Sequence, residues 1–272
     1  MYGAMIGDYV GSVYEWNNIK TKQFPFFSRK CFLTDDSFMT MAVAHACSNW
    51  HMHHNLEAFS EDVKQEMHRI GNFYPRKGYG GSFRRWLASD DPQPYNSYGN
   101  GSAMRVSPCG FIAQSLEEAE ALAKASALPS HNHPEGIKGA QAVAVAIHLA
   151  CTGHKRSEIG AYIREHYYPL DKTLAQIRPT YEFYESCQDT VPPAIQAFLE
   201  STGFEDAIRN AISLGGDSDT LATITGSIAE AYYGVPENMC KYMDKVVQMT
   251  CNIEEQKIIR TFREKHMTKE QH

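Results

Sequence analysis

Hydrophobic positions along this chain recur mainly at intervals of three and four residues, and alternating patterns are scarce. This spacing is typical of amphipathic helices and predicts an all-α protein. The predicted helices are Tyr2–Tyr14, Ser37–Ser48, Asn55–Gly71, Ser82–Ala88, Ser115–Ser126, Ile137–Cys151, Ser157–Tyr167, Pro192–Thr202, Phe204–Leu214, Leu221–Tyr233 and Cys240–Lys265.

Two helix ends and one core helix can also be recognised in the sequence. Ser115-Leu-Glu-Glu is a capping box that predicts a helix starting at Leu116. Gly234, followed by Val-Pro, predicts the end of the helix before it. The stretch Ala140–Cys151 is apolar nearly all round and too short to span a bilayer, so it is interpreted as a helix in the middle of the core. Predicted loops are Asn17–Phe32, Tyr74–Gly81, Ser89–Gly101, Ala127–Gly136 and Gly215–Asp219.

The composition is that of an ordinary globular protein. The 272 residues contain 43% hydrophobic and 21% charged residues, and no linker or charge block divides them, so we expect one compact domain over 1–272. The formal net charge of −6 and the absence of a Lys/Arg run argue against a polyanion-binding surface, so nucleic acid is expected only as a modified substrate. A monomer is the default expectation.

The cysteines and the first residues bear on the compartment. Seven cysteines with irregular spacing and no CxxC motif suggest reduced thiols in a cytoplasmic protein. The stretch MYGAMIGDYVG lacks the basic and apolar regions of a signal peptide, and no stretch predicts a membrane span.

Paired acids occur at two predicted helix starts. Asp35 and Asp36 follow Thr34, and Asp217 and Asp219 precede Thr220 in a loop that contains two glycines. One acid at a helix start is explained by capping, whereas two neighbouring acids repel each other unless a cation lies between them. The oxygens of these six residues suit Mg²⁺ or Mn²⁺, and two such sets suffice for two ions. The alternative is that both segments are only N-caps.

The first predicted helix carries another acid that bears on this site. Asp8 and Glu15 lie seven residues apart, two turns along one face of that helix. Glu15 is either a further ligand or a base, or else an exposed acid near the helix end. Small residues, Gly3, Ala4, Gly7 and Gly11, recur on this helix and predict the close approach of another backbone.

Three loops are candidate ligand contacts. SYGNGSAMRVSPCG, Ser97–Gly110, resembles a phosphate cradle without Walker A spacing, in which Arg105 would add donors, although a plain turn is the favoured explanation from the pattern alone. The SHNHP segment holds His131 and is interpreted as a polar loop that orders a ligand. Tyr79 and Phe83 offer stacking surfaces for a base, or ordinary loop packing.

The motifs GDxxGxxYE, LTDDS, GNGSAMR, SHNHPEG and GGDSDTLA, in this order, resemble the ADP-ribosylglycohydrolase family over Gly3–Gly234. The segment 240–272 lies outside the resemblance. The resemblance implies a compact orthogonal helical bundle with two Mg²⁺ or Mn²⁺ ions in a cleft. It implies metal binding by Thr34, Asp35, Asp36, Asp217, Asp219 and Thr220. It also implies a mobile ligand or gate at Glu15, diphosphate-side contacts at Gly99, Asn100, Gly101, Ser102 and Met104, and a ribose contact at His131.

The resemblance implies hydrolysis of a glycosidic bond at C1″ of ADP-ribose, removing it from a modified protein or a small conjugate. We hypothesise that the cations acidify the attacking water and that Asp35, Asp36 or Glu15 takes its proton. Some family members use a further acid before the GNG loop, where Asp90 and Asp91 lie here without a supporting pattern. The alternatives are a two-metal nucleotide phosphoesterase and a non-catalytic, crystallin-like relative.

Overall fold

The computed structural model describes residues 1–266, apart from the side chains of residues 51–53. Its helices are α1 Tyr2–Gly11, α2 Asp35–His53, α3 Leu56–Phe73, α4 Gly81–Leu87, α5 Gly101–Met104, α6 Ser107–Ile112, α7 Leu116–Ala127, α8 Pro134–Cys151, α9 Arg156–His166, α10 Leu174–Ile177, α11 Cys187–Leu199, α12 Phe204–Ile212, α13 Ser218–Tyr233, α14 Glu237–Thr250 and α15 Ile253–His266. Within these residues no strand forms, and one isolated bridge pairs Gly99 with Ser186. The predicted all-α class is therefore confirmed. The tail 267–272 lies outside the described residues, and the single-domain assignment stays a prediction.

Helices α8 and α13 form the centre of the core. After Lys138, α8 carries no acid, Lys or Arg. Helix α13 carries none between Asp219 and Glu230. All residues of α13 from Ser218 to Glu230 are buried, and so are nearly all of those in the second half of α8. The prediction that Ala140–Cys151 belongs to a core helix is confirmed.

Helix α1 packs against α13 with its backbone rather than with large side chains. A Cβ atom at Gly7 would lie 2.1 Å from the carbonyl oxygen of Ala222, and one at Gly11 would lie 2.5 Å from the Cα of Asp219. Only glycine permits this approach. The close backbone contact predicted from the small residues is confirmed, and it brings α1 directly against the start of α13.

The predicted helix Cys240–Lys265 is wrong, because two helices occupy this region. Helix α14 ends at Thr250, and Cys251 is extended, with φ −103° and ψ 146°. The side chain of Asn252 then accepts hydrogen bonds from the backbone N–H groups of Glu254 (2.8 Å) and Glu255 (3.2 Å). Asn252 therefore caps the start of a new helix, α15. The hydrophobic pattern continues across this cap and so does not indicate the break.

The predicted start at Pro192 is also wrong, because α11 begins five residues earlier, at Cys187. Pro193 lacks the N–H that would bond to the carbonyl of Asp189 in a regular helix. The hydroxyl of Tyr181 donates to that carbonyl instead, at 3.0 Å. A side chain from outside the helix thus satisfies the group that the proline leaves free.

The remaining differences lie at helix ends and in short helices. Pro134 opens α8 three residues before the predicted start at Ile137, because a proline at the first helical position needs no N–H partner. The short helices α5, α6 and α10 were not predicted, since four to six residues give too little periodicity. The predicted helix ends are confirmed, since Ser115 accepts from the N–H of Glu118 at 3.2 Å and Gly234 ends α13 with φ 73°. The capping box is only half formed, because the Glu118 carboxylate accepts from the N–H of Gln114 at 2.6 Å instead of that of Ser115.

The contact between α1 and α13 predicts a cost for a single methyl group. Replacing Gly7 by Ala would favour helix formation, but its Cβ would clash with backbone atoms of Ala222 that cannot move aside. We expect Gly7→Ala to lower the free energy of unfolding by about 1–3 kcal/mol, measured by urea unfolding. Gly81→Ala is the matched control, because its Cβ would approach only the far end of Arg85, at 4.0 Å. A loss at Gly81 as large as that at Gly7 would contradict the explanation.

Candidate metal centre and its cleft

One cleft of about 710 Å³ receives the first turns of α2 and α13. Its volume lies in the range of small-molecule sites. Its walls come from the turn that follows α1, the loop before α4, the GNG loop, and the segment before α11. Its lining residues include Glu15, Asp35, Asp36, Phe83, Gly99, Asn100, Gly101, Met104, Arg105, His131, Phe183, Glu185, Asp217, Asp219 and Thr220.

The first half of the site is the start of α2. Thr34 is the N-cap of this helix, and its hydroxyl accepts a hydrogen bond from the N–H of Asp36 at 3.3 Å. Asp36 is buried, whereas Asp35 is partly exposed to the cleft. Both carboxylates lie in the first helical turn, where the positive end of the helix dipole favours negative charge.

The second half is the start of α13. Gly215 and Gly216 have φ values of 72° and 71°, which permit the tight turn that leads into Asp217. Asp217 precedes the helix and Asp219 lies in its first turn, where Asp219 accepts a hydrogen bond from the N–H of Thr220 at 3.1 Å. All three of these residues are buried.

The two halves meet at Asp36. The hydroxyls of Thr34 and Thr220 each lie 3.4 Å from its Oδ2 atom, one from each helix. On the other side of the site, Glu15, Asp217 and Asp219 each present an oxygen, and these oxygens lie within 4.8 Å of one another. The structure therefore brings together all six predicted metal-binding residues and Glu15.

This arrangement raises the pKa values of the carboxyl groups. Burial, and then the neighbouring acids, hold the pKa values of Asp35, Asp36 and Asp219 well above their ordinary value. Burial raises the pKa of Asp217 to about 6, and burial together with the nearby Asp219 and Asp8 raises that of Glu15 to about 8. The cluster is therefore under electrostatic stress that a cation would relieve.

The chemistry of this cluster fits divalent cations. Among the described residues, no ion pair involves these five acids, and Oδ1 of buried Asp36 has no hydrogen-bond partner. An unpaired buried carboxylate oxygen is costly, and here it belongs to a residue already predicted to bind metal. All of the available donors are carboxylate and hydroxyl oxygens, the ligands that Mg²⁺ and Mn²⁺ prefer.

The GNG loop contacts the second half of the site. The side-chain amide of Asn100 donates to Asp217 at 2.7 Å and to Thr190 at 3.1 Å, so it orients a carboxylate. The hydroxyl of Ser102 is buried and donates to the carbonyl of Gly136 at 2.6 Å. Gly99, Gly101 and Met104 line the cleft directly. Sequence reasoning grouped these residues as ligand contacts but did not separate those that face inward.

His131 lies behind the same loop. Its Nδ1 lies 2.8 Å from the Ser130 hydroxyl, and burial, with Arg105 nearby, lowers its pKa well below the ordinary value, so the ring is neutral. The guanidinium of Arg105 donates to the carbonyls of Gly101 and Ser126 and to the Ser130 hydroxyl. Arg105 therefore fastens the loops together, although its sequence position suggested a phosphate contact.

Tyr79, which was proposed as a stacking surface for a base, is packed inside the protein. Its ring is 3% exposed, packs against Phe83, and is not among the described residues that line the cleft, whereas Phe83 is. This position does not suit a base-stacking role for Tyr79. Asp90 and Asp91 are exposed and likewise do not line the cleft.

Sequence reasoning missed the wall formed by Phe183–Ser186. The carbonyl of Glu185 accepts from the N–H of Asn100 at 2.7 Å, which joins this segment to the GNG loop. Phe183 also stacks on Trp16, with ring centroids 5.2 Å apart. The only signal in the sequence is the alternation of aromatic and acidic residues in YEFYES, which by itself does not indicate a cleft wall.

The geometry can now be compared with known proteins. The family model described as ADP-ribosylglycohydrolase matches residues 1–266. The chain belongs to the ADP-ribosylglycohydrolase family. This family membership confirms the predicted resemblance and the predicted class of enzyme, an ADP-ribosyl glycohydrolase.

Two curated relatives of this glycohydrolase match most of the chain. The ADP-ribosylhydrolase ARH3 of Homo sapiens is 30% identical, over 87% of this chain and 85% of its own length. The ADP-ribosylarginine hydrolase Tri1 of Pseudomonas putida is 26% identical, over 90% of this chain and 72% of its own length.

A solved structure extends the comparison to the fold. A chain of an ADP-ribosylglycohydrolase-related protein complex superposes with a TM-score of 0.65 and 21% identity, covering 97% of this chain and 95% of the other. This likeness shows that the helical fold is shared. A search of the helices in residues 1–266 finds none with the length and apolar character needed to cross a membrane.

The raised pKa values predict that one acid destabilises the metal-free protein. The unfolded chain releases the proton of Asp219 near its ordinary pKa of about 4, whereas the folded protein retains it to higher pH. The stability of the parent therefore falls as pH rises above about 4, and Asp219→Asn removes this loss. In EDTA we expect the variant to match the parent near pH 4.5 and to melt at higher temperature at pH 8.

Saturating Mn²⁺ should reverse that order, because the variant lacks a proposed ligand. Differential scanning fluorimetry at several pH values, with EDTA or Mn²⁺, measures both effects. A melting-temperature difference in EDTA that does not change with pH would contradict the electrostatic explanation.

Proposed function

We propose that this chain is a divalent-metal-dependent hydrolase that cleaves the glycosidic bond at C1″ of ADP-ribose, releasing ADP-ribose from a modified protein or a small conjugate. The observation that carries the proposal is the convergence of two acidic helix starts and Glu15 on one cleft, with no basic partner for these acids among the described residues. Family membership supplies the substrate class.

Two Mg²⁺ or Mn²⁺ ions are the proposed cofactors. Their ligands would be Thr34, Asp35, Asp36, Asp217, Asp219 and Thr220. When bound, the ions supply positive charge that offsets the carboxylates, orders ribose hydroxyls and acidifies water. Asn100 would hold Asp217 in position through its 2.7 Å hydrogen bond.

Glu15 is the residue best suited to accept a proton from the attacking water. It borders both the cleft and the second half of the site, and bound cations would lower its raised pKa, so that the carboxylate form that accepts a proton is present at neutral pH. Asp35 and Asp36 are the other candidates, but their proposed role as ligands would occupy their lone pairs. As the water oxygen bonds to C1″, the glycosidic bond breaks and its electron pair goes to the leaving nitrogen or oxygen, which takes up a proton; nearby carboxylates stabilise the oxocarbenium-like transition state electrostatically.

The rest of the cleft would bind ADP-ribose. Gly99, Gly101 and Met104 line the side proposed for the diphosphate, where exposed backbone N–H groups can meet an anion. Neutral His131 would hold the ribose by a hydrogen bond without adding charge. Asn100 lines the same side while it bonds to Asp217, and Ser102, whose hydroxyl bonds to the carbonyl of Gly136, would act behind these contacts.

The relatives bear on the conjugate that is hydrolysed. Tri1 is named an ADP-ribosylarginine hydrolase, so ADP-ribosylated arginine is one substrate to test. A serine conjugate is the natural comparison, because it presents an O-glycosidic rather than an N-glycosidic bond. A cytoplasmic location and a monomeric state complete the proposal.

The proposal predicts metal-dependent release of ADP-ribose that Asp217→Asn abolishes or reduces by at least about 10²–10³-fold. Arginine- and serine-ADP-ribosylated peptides would be incubated with Mg²⁺, Mn²⁺ or EDTA, and the products followed by mass spectrometry. Asp90→Asn is the matched control, because it removes the same charge from an exposed residue outside the cleft; it should retain full activity.

The products separate the proposal from its alternatives. Inorganic phosphate or a nucleoside instead of ADP-ribose would indicate a two-metal phosphoesterase. No product, together with no Mn²⁺ binding by calorimetry, would indicate a non-catalytic relative. Equal activity in EDTA and Mn²⁺ would refute the metal requirement.

The role of Glu15 predicts a different loss. Glu15→Gln keeps the size of the side chain but cannot accept a proton, so we expect kcat to fall by about 10²–10⁴-fold with a smaller change in KM. Glu185→Gln is the control, because it neutralises another acid of the cleft wall. Unchanged kcat in Glu15→Gln would exclude this residue as the base.

A further inference from the structure

Asp8 is a buried acid that the proposed reaction does not use. It lies in α1 with no exposed surface, and it is not among the described residues that line the cleft. Burying a carboxylate costs free energy unless hydrogen bonds compensate for the lost water. Its contacts therefore indicate what the residue does.

Among the described residues, all hydrogen bonds to the Asp8 carboxylate come from the start of α2. Asp8 accepts hydrogen bonds from the N–H of Thr34 (3.0 Å to Oδ2) and from the Thr34 hydroxyl (2.7 Å to Oδ1). It also accepts from the N–H of Ser37 (3.2 Å) and from the Ser37 hydroxyl. An acid from one helix thus caps the N-terminus of another, where backbone N–H groups lack partners.

The bond to the Thr34 hydroxyl has a further consequence. A threonine hydroxyl has one proton and two lone pairs. That proton points to Asp8 at 2.7 Å in preference to Asp36 at 3.4 Å, a distance that makes a much weaker bond. One of its lone pairs accepts from the N–H of Asp36 at 3.3 Å, and the second is left for a further contact on the side of Asp36.

We infer that Asp8 is a positioning residue for the metal centre, which fixes the Thr34 side chain with its proton directed away from the site and its oxygen lone pair toward it. The inference rests on the proposed function, because it requires that Thr34 be a ligand. A hydroxyl in this orientation is a neutral oxygen donor that presents no proton to a cation. Partners of this kind behind metal ligands typically contribute 10–100-fold to metal affinity.

Ser37 provides the matched control. It uses the same carboxylate of Asp8 and is equally buried, but among the described residues its side chain makes no hydrogen bond to Asp36 or to the acids of α13. A purely structural role for Asp8 would make Ser37→Ala and Asp8→Asn alike in kind. A role through Thr34 separates them.

The test is the Mn²⁺ dissociation constant, measured by calorimetry on the full chain for the parent, Asp8→Asn, Thr34→Val, the double variant and Ser37→Ala. We expect Asp8→Asn to weaken Mn²⁺ binding by about 10–100-fold. The double variant should bind no more weakly than the weaker of its two single variants, because both remove the same ligand. Ser37→Ala should lower the melting temperature and leave the dissociation constant within about threefold.

Three results would overturn the inference: unchanged Mn²⁺ affinity in folded Asp8→Asn, additive losses in the double variant, or equal losses in Ser37→Ala. If Asp8→Asn does not fold, Asp8→Glu displaces the carboxylate while keeping its charge and should also weaken binding. Absence of Mn²⁺ binding by the parent would instead refute the metal centre itself, so the two failures are distinguishable.

Discussion

The structure depends on enclosing several carboxylates in one place without a basic residue to pair with them. Glu15, Asp35, Asp36, Asp217 and Asp219 repel one another, and burial removes the water that would screen them. The surrounding fold reduces this cost through dipoles instead of full charges. Two helix N-termini, the Thr220 hydroxyl and the amide of Asn100 direct positive ends toward the acids. A lysine or arginine there would neutralise the cluster and remove its capacity for a metal ion.

Helix α1 determines how far apart the two acidic helix starts lie. Its glycine face rests on the backbone of α13, while Asp8, on the same helix, bonds to the first turn of α2. The short helix α1 therefore sets the spacing between the two halves of the site. A larger residue at Gly7 or Gly11 would displace α13 relative to α2, so we expect such a change to affect the site as well as the core.

The sequence was most informative where local chemistry conflicted with ordinary helix capping. The doubled acids at Asp35–Asp36 and Asp217–Asp219 were recognisable because one acid suffices for a cap. The roles of Arg105 and Tyr79 were not, because their partners are distant in sequence: Arg105 bonds to Ser126 and Ser130, and Tyr79 turns into the core. The break at Asn252 and the start of α11 were not predicted for a different reason. At Asn252 a local cap interrupts a hydrophobic pattern that continues across it. In α11 the hydroxyl of Tyr181 bonds to the carbonyl that a proline leaves without a partner, so the helix can include that proline.

The contact between Asp36 and Thr220 joins residues 184 positions apart in the chain. Domains emerge from the ribosome from the N-terminus onward, so α1 and α2 are synthesised long before α13. Until then α1 lacks the surface on which its glycines pack, and the acids of α2 face solvent and repel only each other. The centre therefore cannot exist in a partly synthesised chain. Cation binding at this site would report that α13 has reached α1 and α2, and a chain shortened before α13 would lack both the proposed metal centre and the surface against which its first helix packs.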